Sequence, residues 1–306
     1  MSDFAEAGSP GSSLRGARLS ISAALWRRPW LKIAALLALP LFAFAVVYLG
    51  SLIALFISSF WNVDAFTGQV VHTWSFDNFS TLIHDPIYRR IAFRTIWIAA
   101  AVTVTDAILA FPLAYFMARL ATPRMKALLF VLVLLPLWSS YLVRIYAWRL
   151  ILAKQGALNW ALNGIGLPDA NLAYTNTAMW IVFSYVWLPF MVLPVYAALE
   201  RIPNSYLEAS QDLGARTFRT FRAVILPLTL PGLVAGSIFT FSLTLGDFIT
   251  PALVGGANSQ FIGNVVHNYV GISNNVPLAA AFATLPVIVM AVYLLVAKRL
   301  GAFEAL

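Results

Sequence analysis

Three ionisable side chains, Asp106, Arg144 and Asp247, interrupt apolar runs of the sequence and carry most of its potential for chemistry. A charge in apolar surroundings is costly, and inside a membrane span it marks a functional site by default. Two interpretations of Arg144 and Asp247 stay open. In one, they form a structural salt bridge or each snorkels to an interface. In the other, Asp247 is the counter-charge for an organic cation.

Aromatic residues cluster near Arg144 in the sequence and suit the second interpretation. Cation–π contacts contribute about 0.5–2 kcal/mol, which fits a site that must release its cargo. For Asp106, structural pairing and substrate contact are equally open. The candidate substrate-pathway residues are therefore Asp247, Arg144, Trp138, Tyr141, Tyr146 and Asp106.

Motifs for catalysis are missing from the sequence. Each of the four lysines follows Leu, Met or Ala, so no phosphate-cradling Gly-Lys-Ser/Thr loop is present. The three histidines lie far apart, cysteine is absent, and no Gly-x-Ser-x-Gly elbow occurs. We expect no catalytic residues, no metal and no cofactor bound by this chain. If the function of the chain consumes ATP, the ATPase must be another chain.

Composition shows which solvent surrounds these residues. Of the 306 residues, 61% are hydrophobic and only 10% are charged, against about 45–50% and about 25% in soluble domains. So few charges cannot cover the surface of a soluble protein of this size, so most of the surface must face lipid.

Uncharged or nearly uncharged runs long enough to cross a bilayer recur along the chain. We interpret the Gly- and Asn-rich stretch between residues 255 and 275 as an external loop. The predicted fold class is an all-α polytopic membrane protein with six transmembrane helices. The spans are Ile33–Val63, Thr95–Met117, Ala127–Ile151, Asn171–Leu199, Ala223–Gly246 and Pro277–Ala297.

The distribution of Lys and Arg predicts the orientation. With six spans, the face that holds both termini has fourteen basic and six acidic residues, and the rest of the chain has six of each. The positive-inside rule makes that face cytoplasmic. The predicted domains are a polar cytoplasmic tail (1–30), a six-helix domain (31–300) with a loop at 200–230, and a cytoplasmic tail (301–306).

The loop between the fourth and fifth spans contains a short predicted helix. Ser205 and Glu208 have capping-box spacing, and Gly214 stands where a left-handed cap would end the helix. The pattern predicts a helix over Tyr206–Leu213. It is either a plain connector or a docking element, in which small Ala209 and Ser210 permit close approach and Leu207 and Leu213 fill a partner's cleft.

The same loop resembles the EAA-loop signature of binding-protein-dependent ABC importer permeases. Glu208-Ala209-Ser210, then Gly214, then Val224-x-Leu226-Pro227 follow the family pattern, with Ser210 in place of Ala and Val224 in place of Ile. In that family the loop forms the coupling helix that enters a groove on the ATPase. The resemblance implies a type I permease-like bundle and ATPase-coupling residues Ser205, Leu207, Glu208, Ala209, Ser210, Leu213 and Gly214.

Further segments resemble the spermidine/putrescine permease branch, chiefly Leu142–Trp148, Leu245–Pro251 and Ile262–Val266. The resemblance implies import of polyamines, coupled to ATP through a helix at 204–214. It also implies three protein partners: a second permease subunit, an ATP-binding cassette ATPase dimer and an extracytoplasmic solute-binding protein. The location it implies is the bacterial inner membrane, and no nucleic acid is expected as a partner. Alternatives are an ABC importer for an opine, an amino acid or a related solute, or a stand-alone secondary transporter.

Overall fold

The computed structural model describes residues 29–64, 66–256 and 258–299. The predicted tail at 301–306 lies outside the described residues, as does the tail at 1–30 except for its last two positions. By their internal contacts the residues form two units, Met1–Ile57 and Ser58–Leu306.

The first unit contains α1 (Pro29–Ala43), a π-helical stretch (Phe44–Leu49) and most of α2 (Gly50–Ser58). Its segment Leu36–Ser58 has a mean hydropathy of 2.4, which suits a membrane span. The hydroxyl of Ser51 donates to the carbonyl of Val47 at 2.6 Å, so this polar group is satisfied within the helix.

The second unit begins with a small hairpin and continues as helices. The hairpin pairs β1 (Asn62–Val63) with β2 (Val70–Val71) in antiparallel register. Between the later helices lie π-helical stretches at Phe116–Leu120, Phe221–Ile225 and Pro251–Gly255. The helices are α3 (Asp77–His84), α4 (Pro86–Tyr115), α5 (Pro123–Trp138), α6 (Tyr141–Ile151), α7 (Ala157–Gly164), α8 (Asn176–Glu200), α9 (Asn204–Asp212), α10 (Thr217–Thr220), α11 (Leu226–Gly246), α12 (Ile262–Gly271) and α13 (Val276–Arg299).

The predicted all-α membrane fold is confirmed, with one difference in the third span. Within the described residues, five helices are long and apolar enough to cross a membrane, and α5 with α6 forms a sixth span only if the bent pair is counted as one. The two helices meet at 94°. Ser139 and Ser140 adopt extended backbone angles, and Pro136 in the preceding turn removes a helical donor. The continuous third helix predicted over Ala127–Ile151 is therefore wrong.

Helix α8 is the central element of the second unit, because α4 and α11 both pack along it. One half of α8 contributes Val182, Phe183 and Val186 to one buried cluster. The other half contributes Met191 and Val195 to a second cluster. All five side chains are fully buried.

The α8–α11 seam, the line along which these two helices meet, has almost no space between backbones. A Cβ atom at Gly232 would lie 2.6 Å from the carbonyl oxygen of Pro194 and 2.5 Å from the Cβ of Ala198. At Gly236 it would lie 2.6 Å from the sulfur of Met191. The two glycines form a small-x-x-x-small pattern, which in membranes lets helices approach closely.

The predicted external loop at 255–275 contains a helix. Helix α12 buries Ile262 and Val265 against Ile91 and Phe282 of the neighbouring helices. Glycine and asparagine are typical of loops, and their number in this stretch predicts one. In the structure, Asn264 stabilises the start of α12, because its side chain accepts from the N–H of Phe261 at 2.9 Å.

Candidate functional site

The predicted loop helix is present as α9, which follows directly on the end of α8. Its first residue is Asn204 and the N-cap is Pro203, which makes no side-chain capping bond. Ser205 consequently lies inside the first turn and cannot cap it. The predicted capping box between Ser205 and Glu208 is wrong, because Pro203, with its fixed φ, places the helix start earlier.

The predicted end of the helix is confirmed. Gly214 has a φ of +75°, the left-handed conformation that glycine adopts most readily. The N–H of Ala215 donates to the carbonyl of Ser210 at 3.0 Å, and that of Gly214 donates to Gln211 at 2.8 Å. These two bonds form a Schellman cap, which stops the helix and turns the chain toward α10.

Three contacts on its inner side fix α9 to the bundle. The Ser210 hydroxyl is buried and lies 2.8 Å from the hydroxyl of Thr220 in α10. Leu207 packs against the buried cluster shared by α4 and α8. Arg119, at the end of the α4 span, donates to the Asn204 side chain at 2.9 Å and to the carbonyls of Leu199 and Ile202, each at 2.6 Å.

A salt bridge braces the same end of the bundle. Lys126, near the start of α5, lies 2.6 Å from the carboxylate of Glu200, the last residue of α8. The ammonium group also lies 5.2 Å from the ring centre of Tyr196. Charged groups from the α4–α5 connection therefore hold the α8–α9 junction from two sides.

The outer side of α9 is open. Tyr206 is 54% exposed and Leu213 is 89% exposed, and Ser205, Glu208 and Ala209 are exposed as well. A groove of about 430 Å³ runs along this side, between Ala209, Leu213 and Arg219. Of the two leucines predicted to enter a partner's cleft, only Leu213 points outward. Leu207 and Ser210 face the chain's own core.

Asp247 lies just after α11 and is the hub of a hydrogen-bond cluster. Its carboxylate accepts from the hydroxyl of Tyr141 in α6, from the Thr250 hydroxyl at 2.8 Å and from the Ile249 N–H at 2.7 Å. The residue is 8% exposed. The side chain of Asn264 in α12 donates to the carbonyl of Phe248 at 2.6 Å and so holds this loop in place.

The Arg144–Asp247 salt bridge, one of the two forms of the structural interpretation from the sequence, is not formed. In the described part of the chain, Lys126–Glu200 is the sole Lys or Arg to carboxylate contact within 4.0 Å. The Arg144 guanidinium instead lies 5.9 Å from the ring centre of Tyr141. Its Nε and Nη1 atoms are buried and find no hydrogen-bond partner in residues 29–64, 66–256 and 258–299.

The other aromatic candidates for the substrate pathway, apart from Tyr141, do not contact Asp247. Trp138 is 83% exposed at the end of α5, and Tyr146 is half-exposed on α6. Only Tyr141 among the predicted aromatic residues contacts Asp247, and its ring stacks on Trp187 of α8 at 5.5 Å between ring centres. The structure therefore joins α6, α8 and the loop after α11 at one polar site.

Asp106 lies in a different part of the bundle. It is fully buried on α4, and within the described residues neither carboxylate oxygen has a hydrogen-bond partner. The Ser184 hydroxyl and the Trp187 indole N–H, both on α8, are also buried without partners. Asp106 thus lacks the hydrogen bonds that stabilise Asp247.

Comparison with known proteins identifies the class. The chain matches the family of binding-protein-dependent transport system inner membrane components over residues 110–302, and it belongs to that family. It is 48% identical over 299 residues to the inner membrane ABC transporter permease protein YdcU of Escherichia coli K12, covering 94% of this chain and 95% of that protein.

More distant relatives agree with this class. The spermidine/putrescine transport system permease protein PotB of Haemophilus influenzae is 35% identical over 225 residues, covering 73% of this chain and 78% of PotB. A chain of the bacterial alginate ABC transporter has the same fold, with a TM-score of 0.72, 17% identity and coverage of 92% and 97%. The protein is therefore a multi-pass inner-membrane permease subunit of an ABC importer and not an enzyme. This assignment rules out a stand-alone secondary transporter.

Three features of the structure were not predicted from the sequence. Arg119 was counted only as part of the charge bias, although it makes three hydrogen bonds at the α8–α9 junction. Gly232 and Gly236 were overlooked, although their spacing in an apolar run is a readable signal for close helix packing. Nothing in the sequence pairs Tyr141 with Asp247, which are 106 positions apart.

Proposed function

We propose that the outer side of α9 is the coupling surface that receives the movement of a separate ATPase. The observation that carries the proposal is the two-sided character of the helix. Leu207, Ser210 and the Arg119 contacts fix its inner side, while Leu213 and Tyr206 are exposed for a partner. A helix held in this way transmits a push or pull to α8 and α11 as a rigid unit.

We propose that the chain works in an assembly with a second permease subunit, an ATP-binding cassette ATPase dimer and an extracytoplasmic solute-binding protein. The resemblance to ABC importer permeases supports this assembly. ATP is used by the partner subunit, and this chain binds no cofactor. Both termini and α9 lie on the cytoplasmic side, an orientation supported by the charge bias of the sequence.

The coupling proposal is tested at Gly214. Valine there would be strained by about 1–3 kcal/mol because of the positive φ, although nothing lies within 4 Å of its Cβ. Gly166, between α7 and α8, has a φ of +78° and equally open space, so Gly166→Val is the matched control. We expect Gly214→Val to lower co-purification of the ATPase and ATP-driven uptake several-fold, and Gly166→Val to leave both unchanged. Intact ATP-coupled uptake in Gly214→Val would overturn the proposal.

For the cargo, we propose a polyamine such as putrescine or spermidine. PotB, a spermidine/putrescine permease by name, is among the relatives. Within this chain, the Asp247 carboxylate is an acidic group in contact with the hydroxyl of Tyr141, and a carboxylate next to an aromatic residue is suited to an ammonium group. The proposed pathway through the bundle also includes Trp138, Tyr146, Arg144 and Asp106.

The proposed polyamine cargo and the role of Asp247 are tested by measuring putrescine uptake by the Asp247→Asn variant in the assembled transporter. Loss of a charge-assisted contact should raise the KM for putrescine about tenfold or more. Asp169, exposed in the α7–α8 loop, provides the control Asp169→Asn, for which we expect wild-type uptake. Unchanged putrescine transport by Asp247→Asn would remove Asp247 from the pathway. Preferred uptake of an amino acid or opine by the wild type would reject the polyamine assignment but not the coupling proposal.

A further inference from the structure

A basic pocket lies between α4 and α8, at the membrane face opposite α9. It has a volume of about 470 Å³, and Arg90 and Arg94 of α4 lie on one side of it. Asn176 and Thr177, in the first turn of α8, lie on the other side. None of the residues that line the pocket is acidic.

The charge of the two arginines is not neutralised by a carboxylate. Arg94 donates to the carbonyl of Asn258 at 2.6 Å and to that of Gln260, but carbonyls are neutral acceptors. Its Nε atom is buried and has no hydrogen-bond partner among the described residues. Neither Arg90 nor Arg94 forms a salt bridge in the described part of the chain. The two arginines are four positions apart on α4 and line the same pocket, so their like charges repel and an anion between them would be stabilised.

The first turn of α8 adds to the positive potential. Thr175 caps the helix by accepting from the N–H of Ala178, which leaves the N–H groups of Asn176 and Thr177 at the pocket without intrahelical acceptors. The N-terminus of a long helix carries a partial positive charge and favours a phosphate or carboxylate. The pocket thus combines two arginines with a helix N-terminus.

Aromatic side chains form the open rim of the pocket. Phe93 is 71% exposed and Trp97 is 66% exposed, and the ring of Trp180 is fixed because its indole N–H donates to Thr105 at 3.0 Å. Tryptophan in such a position is typical of the membrane interface. The span Pro86–Leu120, which is α4 with the π-helical stretch that follows it, has 35 residues and is about 50 Å long, against about 30 Å of hydrocarbon. Its first turns therefore reach headgroup depth.

We propose that this pocket binds the phosphate group of an anionic phospholipid, with Arg90 and Arg94 on the phosphate and Phe93 and Trp97 against the acyl chains. Basic pockets between membrane helices bind lipid headgroups on the cytoplasmic side of membranes, and the same chemistry is proposed here for the opposite face. The exposed aromatic rim favours a lipid over free phosphate, which would gain nothing from it. The proposal is independent of the cargo and of the coupling surface.

Native mass spectrometry of the full chain in detergent, titrated with phosphatidylglycerol or phosphatidylcholine, tests the proposal. We expect phosphatidylglycerol to be preferred, and Arg90→Gln to weaken its binding about tenfold, because one charge-assisted contact is lost. Arg89 is also exposed on α4 but does not line the pocket, so Arg89→Gln is the control and should bind as the wild type does.

Three outcomes would overturn the proposal. Equal losses in Arg89→Gln and Arg90→Gln would show attraction by general surface charge. Displacement of phosphatidylglycerol by millimolar inorganic phosphate would assign the pocket to the free anion. Unchanged lipid binding by Arg90→Gln, together with weaker docking of the solute-binding protein, would assign it to a carboxylate of that partner.

Discussion

The α8–α11 seam and helix α9 are close together in the chain but differ in how tightly they pack. In the seam, Gly232 and Gly236 bring two backbones into contact and leave no room for a side chain. Helix α9 contacts the bundle on one side only and exposes Leu213 and Tyr206 on the other. The seam therefore fixes the fold, whereas α9 is a surface element whose position depends on a few contacts. Substitutions in the two regions should separate loss of folding from loss of coupling.

The largest effect is expected in the seam, from Gly232→Ala. The added methyl would meet the Pro194 carbonyl oxygen and the Ala198 methyl, neither of which can move as a flexible side chain does. Overpacking costs about 1–3 kcal/mol, occasionally more, and contacts of 2.5 Å and 2.6 Å put this substitution at the upper end of that range, so we expect a lower thermal midpoint in detergent and less folded protein. Gly246→Ala makes the same change at the end of α11, where nothing lies within 4 Å, and should leave the midpoint unchanged. Equal midpoints for the two variants would show that the seam is looser than the distances indicate.

The seam and α9 also differ in how far the sequence predicted them. The end of α9 was predictable because Gly214 has one dominant role at a helix terminus. Its start was not, because Pro203 and the capping-box residues give competing signals and the proline prevails. The break between α5 and α6 was missed because apolar residues continue through it, and Pro136 with two serines is only a weak sign of a bend. The Tyr141–Asp247 contact depends on tertiary packing between distant elements, which periodicity does not reveal.

Effects of intermediate size are expected from Leu207→Ala and Leu213→Ala, which truncate one leucine on each side of α9. Leu207 packs on the core shared by α4 and α8, so its truncation should lower the free energy of unfolding by about 2 kcal/mol. Leu213 is 89% exposed, so its truncation should leave stability unchanged and reduce co-purification of the ATPase. Thermal unfolding and pull-down of the ATPase measure the two effects. The reverse pattern, a stability loss only in Leu213→Ala, would contradict the orientation of α9.

The smallest effect is expected from Ser210→Ala, and it distinguishes a docking residue from a supporting one. Among the residues that the structure describes, the buried Ser210 hydroxyl bonds only to Thr220, so the substitution should lower stability by about 1 kcal/mol, mostly because the Thr220 hydroxyl is left unpaired. Removing both hydroxyls, in Ser210→Ala with Thr220→Val, should restore most of that loss. ATP-driven uptake should stay at the wild-type level in both variants, because Ser210 faces inward and the family signature carries alanine at this position. A loss of uptake in Ser210→Ala without a change in the unfolding midpoint would place the residue in the coupling surface instead.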